Sequence, residues 1–378
     1  MLILDRYLLR QFIQIFIYCF VSLAGLYIVI DAFGNLDDFN RYAGSHNMNL
    51  FVVMGPYYGY QTIGFFDRTS GMLTLISAMF TVALFQRYNE LTALQAAGVR
   101  KWRVIKPVII AVVLIASLAA ANRELIIPRI REHFARNAQD LGGENGKEFD
   151  PQFDNKTDIM IRGKQTYADR QRINKASFAL PPALSEYGTK LEAEDAFFLP
   201  ADADHPSGYL LKGLSTPKSL DTKPSLNVND ETIIFTPPGH AWLQHGECFV
   251  ASDLTFEILA SDADYRRNAS LVELISGLRN PSLSTHPDTL VAIHSRVVQP
   301  VLDVILLFLG LPLILSRYSR NVFLAIGQCV AVVVGFYLIV LGSQYLGSNY
   351  LASPALAAWL PLLIFLPMAV AFSDPILE

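Results

Sequence analysis

Charged residues and long apolar blocks alternate along this chain, and their spacing predicts its plan before any motif is considered. Residues 11–30 form 20 positions without a charge between Arg10 and Asp31. At about 1.5 Å per residue, such a helix crosses a hydrocarbon core of about 30 Å. Residues 69–86 add 18 uncharged positions and residues 107–122 another 16. Residues 297–316 are 20 positions interrupted only by Asp303, and residues 321–373 run for 53 without a charge. A run of that length is too long for one crossing, and the Gly-, Ser- and Asn-rich patch at 342–353 divides it in two. The pattern predicts an α-helical membrane protein with six spans, three before and three after a long polar middle.

Residues 44–66 are also uncharged but are broken by Gly55, Pro56, Gly59 and Gly64. A seventh span there would put Arg6 and Arg10 on the opposite face from Arg87, Arg100, Lys101, Arg103 and Lys106. Six spans put all of these, with Arg317 and Arg320, on one side, as the bias of basic residues toward the cytoplasm requires. Residues 44–66 are therefore expected to be an interfacial or kinked extension of the second span. The apolar stretch behind Arg10 is longer than a signal-peptide core and no small-residue cleavage site closes it, so it reads as a retained span. Both termini are then cytoplasmic.

Three crossings deliver residues 126–290 to the outer face. This middle is expected to be an all-β domain between a first membrane part (1–125) and a second (291–378). Short segments at 158–163, 166–169, 191–198, 232–236 and 248–256 read as strands bounded by Pro, Gly and Asp, and suggest a sandwich, jelly-roll or open barrel. Residues 129–139 are expected to continue the third span as a helix, and 271–278 to form a short amphipathic helix on the way back.

Composition agrees with a membrane setting: 52% of residues are hydrophobic and only 17% charged, where a soluble domain is nearer a quarter charged. The net charge of −4 gives no support for nucleic-acid binding. Cys19 and Cys329 fall in spans and Cys248 stands alone in the middle, which leaves no disulfide within that domain. The Gly-rich stretch 142–147 lacks the first glycine and the final Ser or Thr of a phosphate loop and reads as a linker. His240 and His245 sit on a Pro-Gly turn that sets no metal face. No nucleophile elbow occurs, so a membrane enzyme is the least favoured class.

Two features carry chemistry. Asp303 is an ionisable residue well inside a span, about seven residues or roughly 10 Å from its outer end. Its functional reading is a polar contact lining a cavity or gate, and its bland reading is a carboxylate facing a neighbouring helix and paired with Gln299 or Arg296, or simply reaching water. The second feature is the helix expected at 88–99, wedged between two spans on the basic face. Glu90 in its first turn and Gly98 as its stop are ordinary end signals. Its middle, Leu91, Ala93, Leu94, Ala96 and Ala97, followed by Val99, offers a surface of small residues and leucines suited to docking in a partner's groove.

The segment 87–107, RYNELTALQAAGVRKWRVIKP, resembles the coupling-helix region of the LptF/LptG permeases, membrane subunits of the lipopolysaccharide exporter of diderm bacteria. The stretches LDRYLLR at 4–10, NRELIIP at 122–128, HSRVVQP at 294–300 and LGLP at 309–312 are similar to other parts of that family. The resemblance implies the three-plus-three layout around a periplasmic β-jellyroll, in the bacterial inner membrane. It implies a second such permease as partner, a periplasmic jellyroll bridge protein, and a cytoplasmic ABC ATPase dimer seated on residues 90–99. ATP would be bound by that ATPase, with no cofactor in this chain, and the first and fifth spans would form a lateral gate for lipopolysaccharide or a related lipid. One departure is that the outer end of the first span carries Asp31, Asp37 and Asp38 with Arg41 alone, where basic residues facing lipid phosphates are expected. Two alternatives stay open. One is a permease for another lipid or for lipoproteins, although a lipoprotein-release permease would have one span before its outer domain. The other is a membrane-anchored binding or sensory protein with an extracytoplasmic β domain.

Overall fold

The computed structural model describes residues 3–135, 138, 141–142, 146–148, 150–168, 170–202, 204–217, 220–228, 231–240, 242–260, 262–283, 286–315 and 322–373. The chain opens with α1 (Ile3–Gly34), α2 (Leu36–Ser45), α3 (Leu50–Arg87), α4 (Glu90–Ala96) and α5 (Lys101–Ala121), which runs through a π-turn (Asn122–Ile126) into α6 (Ile127–Ala135). Among the described residues nine strands follow: β1 (Gln152–Asp154), β2 (Ile159–Arg162), β3 (Gln165–Tyr167), β4 (Arg172–Ala179), β5 (Lys190–Leu199), β6 (Gly208–Thr216), β7 (Leu226–Val228), β8 (Glu231–Phe235) and β9 (Glu247–Ala251). Short helices α7 (Phe256–Ala260), α8 (Asp262–Asn268) and α9 (Leu271–Gly277) precede α10 (Pro287–Leu315), α11 (Val322–Ser348) and α12 (Pro354–Phe372). Two compact units result, one of Met1–Phe134 with His286–Glu378 and the other of Ala135–Thr285.

Among the described residues, six helices are long and apolar enough to cross a membrane: α1, α3, the run from Lys101 to Arg131, α10, α11 and α12. Residues 44–45 of the extension expected at 44–66 end α2, while residues 50–66 belong to one uninterrupted helix of 38 residues, about 57 Å long and nearly twice the hydrocarbon thickness. Asn49 caps it by accepting from the Phe51 N–H at 3.1 Å. Pro56 lies within its first two turns, where the lost backbone bond disturbs few others. Gly64 is needed for close approach, because a β-carbon there would stand 2.8 Å from the Phe134 ring. Alongside, Tyr60 stacks on His133 at 4.1 Å and the Asn122 amide donates to the Ile63 carbonyl at 3.3 Å. The N-terminal half of α3 is therefore held by α6 and the π-turn before it. Residues 136, 137 and 139 of the expected helix at 129–139 lie outside the described residues, as do Arg317, Arg320 and residues 143–145.

The core of this unit gathers Leu75, Val82 and Phe85 of α3, Val104, Ile105 and Val112 of α5, and Leu306, Leu307 and Leu311 of α10. Gly310 leaves room for the Leu75 side chain. Along α3, Ser70, Thr74, Ser77 and Thr81 are buried. The hydroxyls of Thr74, Ser77 and Thr81 donate to carbonyls of the preceding turn at 3.0, 2.6 and 2.7 Å. These polar groups are thus satisfied inside their own helix, as an apolar surrounding demands. Phe336 of α11 meets Phe365 of α12 at 4.7 Å.

In the other unit, one antiparallel sheet runs β1-β2-β4-β5-β6-β9-β8-β7, with β3 paired to β4. Strands lie in each of the five segments expected, and β1, β4, β6 and β7 are additional. In β4, Ile173 is buried at odd phase but Ala176 and Phe178 at even phase, and all three belong to the same core. The slip falls at Lys175, whose φ is +50°. The neighbouring strands slip with it, since in β5 Leu191 and Ala193 are followed by Ala196, and Gly213 of β6 has φ +67°. A local kink of this kind re-aims side chains and keeps both halves of the strand on one face. Tyr209 closes that core, its hydroxyl donating to the Leu254 carbonyl at 2.9 Å. Burial, with Asp154 nearby, holds its phenol well above the ordinary range.

Candidate functional site

The short helix α4 is made by its ends. Asn89 takes a left-handed conformation, φ +58°, which closes α3 through its N–H to the Gln86 carbonyl at 3.0 Å; asparagine tolerates this conformation better than most residues. At the other end Gly98 has φ +80°. The Gly98 N–H bonds the Gln95 carbonyl and the Val99 N–H bonds the Leu94 carbonyl, both at 3.0 Å, which is the Schellman arrangement. Leu94 and Val99 accompany it by packing on the core of the unit.

This geometry divides the expected docking surface. Leu91 is 7% exposed and belongs to the core shared by α1, α3 and α5. It is therefore corrected from partner-facing to internal, because a leucine gains more from a ready apolar neighbour than from water. Ala93, Ala96, Ala97 and Gly98 face outward with Thr92, and Glu90 is half-buried. The Glu90 carboxylate accepts a long hydrogen bond from the Tyr7 hydroxyl of α1 at 3.4 Å. Arg87, Arg100, Arg103 and Lys106 are exposed around this face. What α4 presents is thus a shallow strip of small side chains with one acid at its start and a basic surround. Its outward alanines permit close helix approach.

Asp303 lies in the seam between α10 and α3. The residue is 7% exposed; its carboxylate accepts from the Gln299 amide at 2.9 Å and occupies the space a side chain at Gly71 would fill, 2.5 Å from that β-carbon position. Arg296 is not its partner; Arg296 pairs with Glu124 at 3.3 Å. Next to Glu124, Arg123 grips Asp67 through its Nε, at 2.9 and 3.2 Å from the two carboxylate oxygens. Adjacent residues on an α-helix point about 100° apart, and here Arg123 and Glu124 sit on the π-turn. One ties the third span to α3 and the other ties it to α10. A π-turn inside a helix often marks a functional position. The pairing could not be read from the chain because its members are 56 and 172 residues apart. The only local signal was an Arg-Glu pair at the end of an apolar run.

At the other end of α1, Asp31 accepts from the Tyr58 hydroxyl of α3 at 2.9 Å, and in α2 Arg41 pairs with Asp38 at 3.4 Å. The acidic end of the first span is thereby folded into its own structure. His240 tilts over the Phe235 ring at 4.8 Å. Among the described residues, no three His, Cys, Asp or Glu side chains gather so as to hold a metal ion.

The family model described as lipopolysaccharide export system permease LptF/LptG matches residues 6–179 and 215–374. This chain belongs to the LptF/LptG permease family. A search of curated proteins finds no match. The matched residues include α4, the Asp67, Arg123, Glu124 and Arg296 pairs, and Asp303, and they leave out 180–214. LptF/LptG membership, with the apolar helices, makes the protein a multi-pass transporter permease subunit of the inner membrane.

Proposed function

We propose that this LptF/LptG permease works as one of two paired permeases of an exporter that lifts lipopolysaccharide, or a similar glycolipid, out of the inner membrane. A cytoplasmic ABC ATPase dimer supplies the energy from its own ATP site. Residues 126–290 then stand in the periplasm as a jellyroll domain that hands cargo to a bridge protein, with three spans on either side and both termini in the cytoplasm. The observation that carries the reading is α4: its two leucines, Leu91 and Leu94, pack on the core, its alanine face is turned out, and both ends are fixed by backbone bonds. A helix presented this way fits a groove on a partner, and the basic residues beside it belong on the cytoplasmic side.

The test is retention of the ATPase. Ala93→Trp fills the outward strip without touching the core, and is expected to lower ATPase co-purification at least tenfold while the permease still inserts and purifies. Full retention by that variant overturns the assignment of α4 as the docking helix.

A further inference from the structure

We infer that the first span is moved by α4 through Tyr7, so that this span, distant in the chain, is the one to which partner closure is delivered by side-chain contact. The inference rests on the docking role given to α4 above. α3 and α5 run directly into the segment that carries α4, so they follow it through the main chain. α1 has no such link, since Tyr7 and Glu90 are 83 residues apart in sequence.

The contacts that join them are specific. The Tyr7 hydroxyl donates to Glu90 Oε1 at 3.4 Å, and its ring meets Phe85 at 5.7 Å. The next residue, Leu8, and Phe12 about a turn beyond it are 2% and 0% exposed and lie in the same buried cluster as Phe85 and Leu91. This end of α1 is seated. Its apolar stretch is less enclosed than that of α3, 6% against 61% buried, and beyond this end it meets α3 through Tyr27 on Phe65 at 5.5 Å and Asp31 on Tyr58 at 2.9 Å. Tyr7 ties the first turns of α1 to α4, so a displacement of α4 reaches α1 at that end. Glu90 is the residue in which docking and span meet, because its backbone opens α4 and its side chain reaches α1. Tyr7 is in this account a positioning residue: it sets where the Glu90 carboxylate stands and carries displacement to α1.

The experiment uses the complete permease–ATPase complex in nanodiscs. Spin labels are placed on exposed faces of α1 (Tyr18→Cys) and α5 (Leu114→Cys), with the native cysteines replaced. The α1–α5 distance is measured before and after trapping with ATP and vanadate. The expected result is a distance change on trapping that falls to half or less in Tyr7→Phe and nearly vanishes in Tyr7→Ala, with the ATPase still bound. A structural role alone would lower complex yield and leave the distance change intact. An α1–α5 distance that does not respond to trapping in the otherwise unaltered complex, or one that responds equally in both Tyr7 variants, overturns the inference. If the permease never retains the ATPase, the docking reading fails first and this one with it.

Discussion

At Gly71 the missing side chain decides where Asp303 can go. The carboxylate rests against the α3 backbone because nothing projects there, and Gln299 one turn back supplies the hydrogen bond that a buried carboxylate needs. Gly71→Val is therefore expected to push Asp303 from the seam and wedge α3 from α10. The cost is about 1–3 kcal/mol, as for overpacking elsewhere, seen as a fall of several degrees in the melting midpoint of the purified permease. An unchanged midpoint would show the seam to be loose. Asp303 stood out in the sequence because a charge inside an apolar run is conspicuous by itself. Gly71 did not, because a glycine in a span has many uses and only the facing residue shows which one applies.

Among elements, the π-turn between α5 and α6 shows how two neighbouring residues can serve two different helices. Its ion pairs are partly buried: the Arg123 and Asp67 side chains are 23% and 14% exposed. Removing one member leaves a partly desolvated charge without its partner, which is worse than removing both. Arg123→Ala or Asp67→Ala alone is expected to cost about 1–3 kcal/mol, with the double variant recovering most of it. Thermal denaturation of all four proteins in the same detergent measures this coupling, and additive losses would mean that the pair contributes nothing. Helix α4 was legible because asparagine, glutamate and glycine mark helix ends by backbone chemistry alone. Its inward and outward faces were not, because Leu91 and Ala93 differ only in what lies beside them. The strand β4 was missed for a related reason. Lys175 breaks the two-residue alternation on which strand recognition depends, and the break makes sense only beside the matching irregularities in β5 and β6.

For the whole molecule, the proposed topology makes a direct prediction. With the native cysteines replaced, Ala97→Cys is expected to react with a membrane-impermeant maleimide only from the cytoplasmic side, and Lys190→Cys only from the periplasmic side. Both positions are exposed, so labelling of both from one side would contradict the arrangement. The number of apolar helices, the polar middle and the small helix between two spans were determined by the chain alone, because hydrocarbon thickness and unpaired backbone groups leave few alternatives for runs of that length. Which residues meet was decided only by the tertiary structure. Arg123 with Asp67, Arg296 with Glu124 rather than Asp303, and Tyr7 with Glu90 each join positions more than 50 residues apart. Hydrophobicity sorts residues by how they partition and is blind to which partner they find, and partners are set by packing.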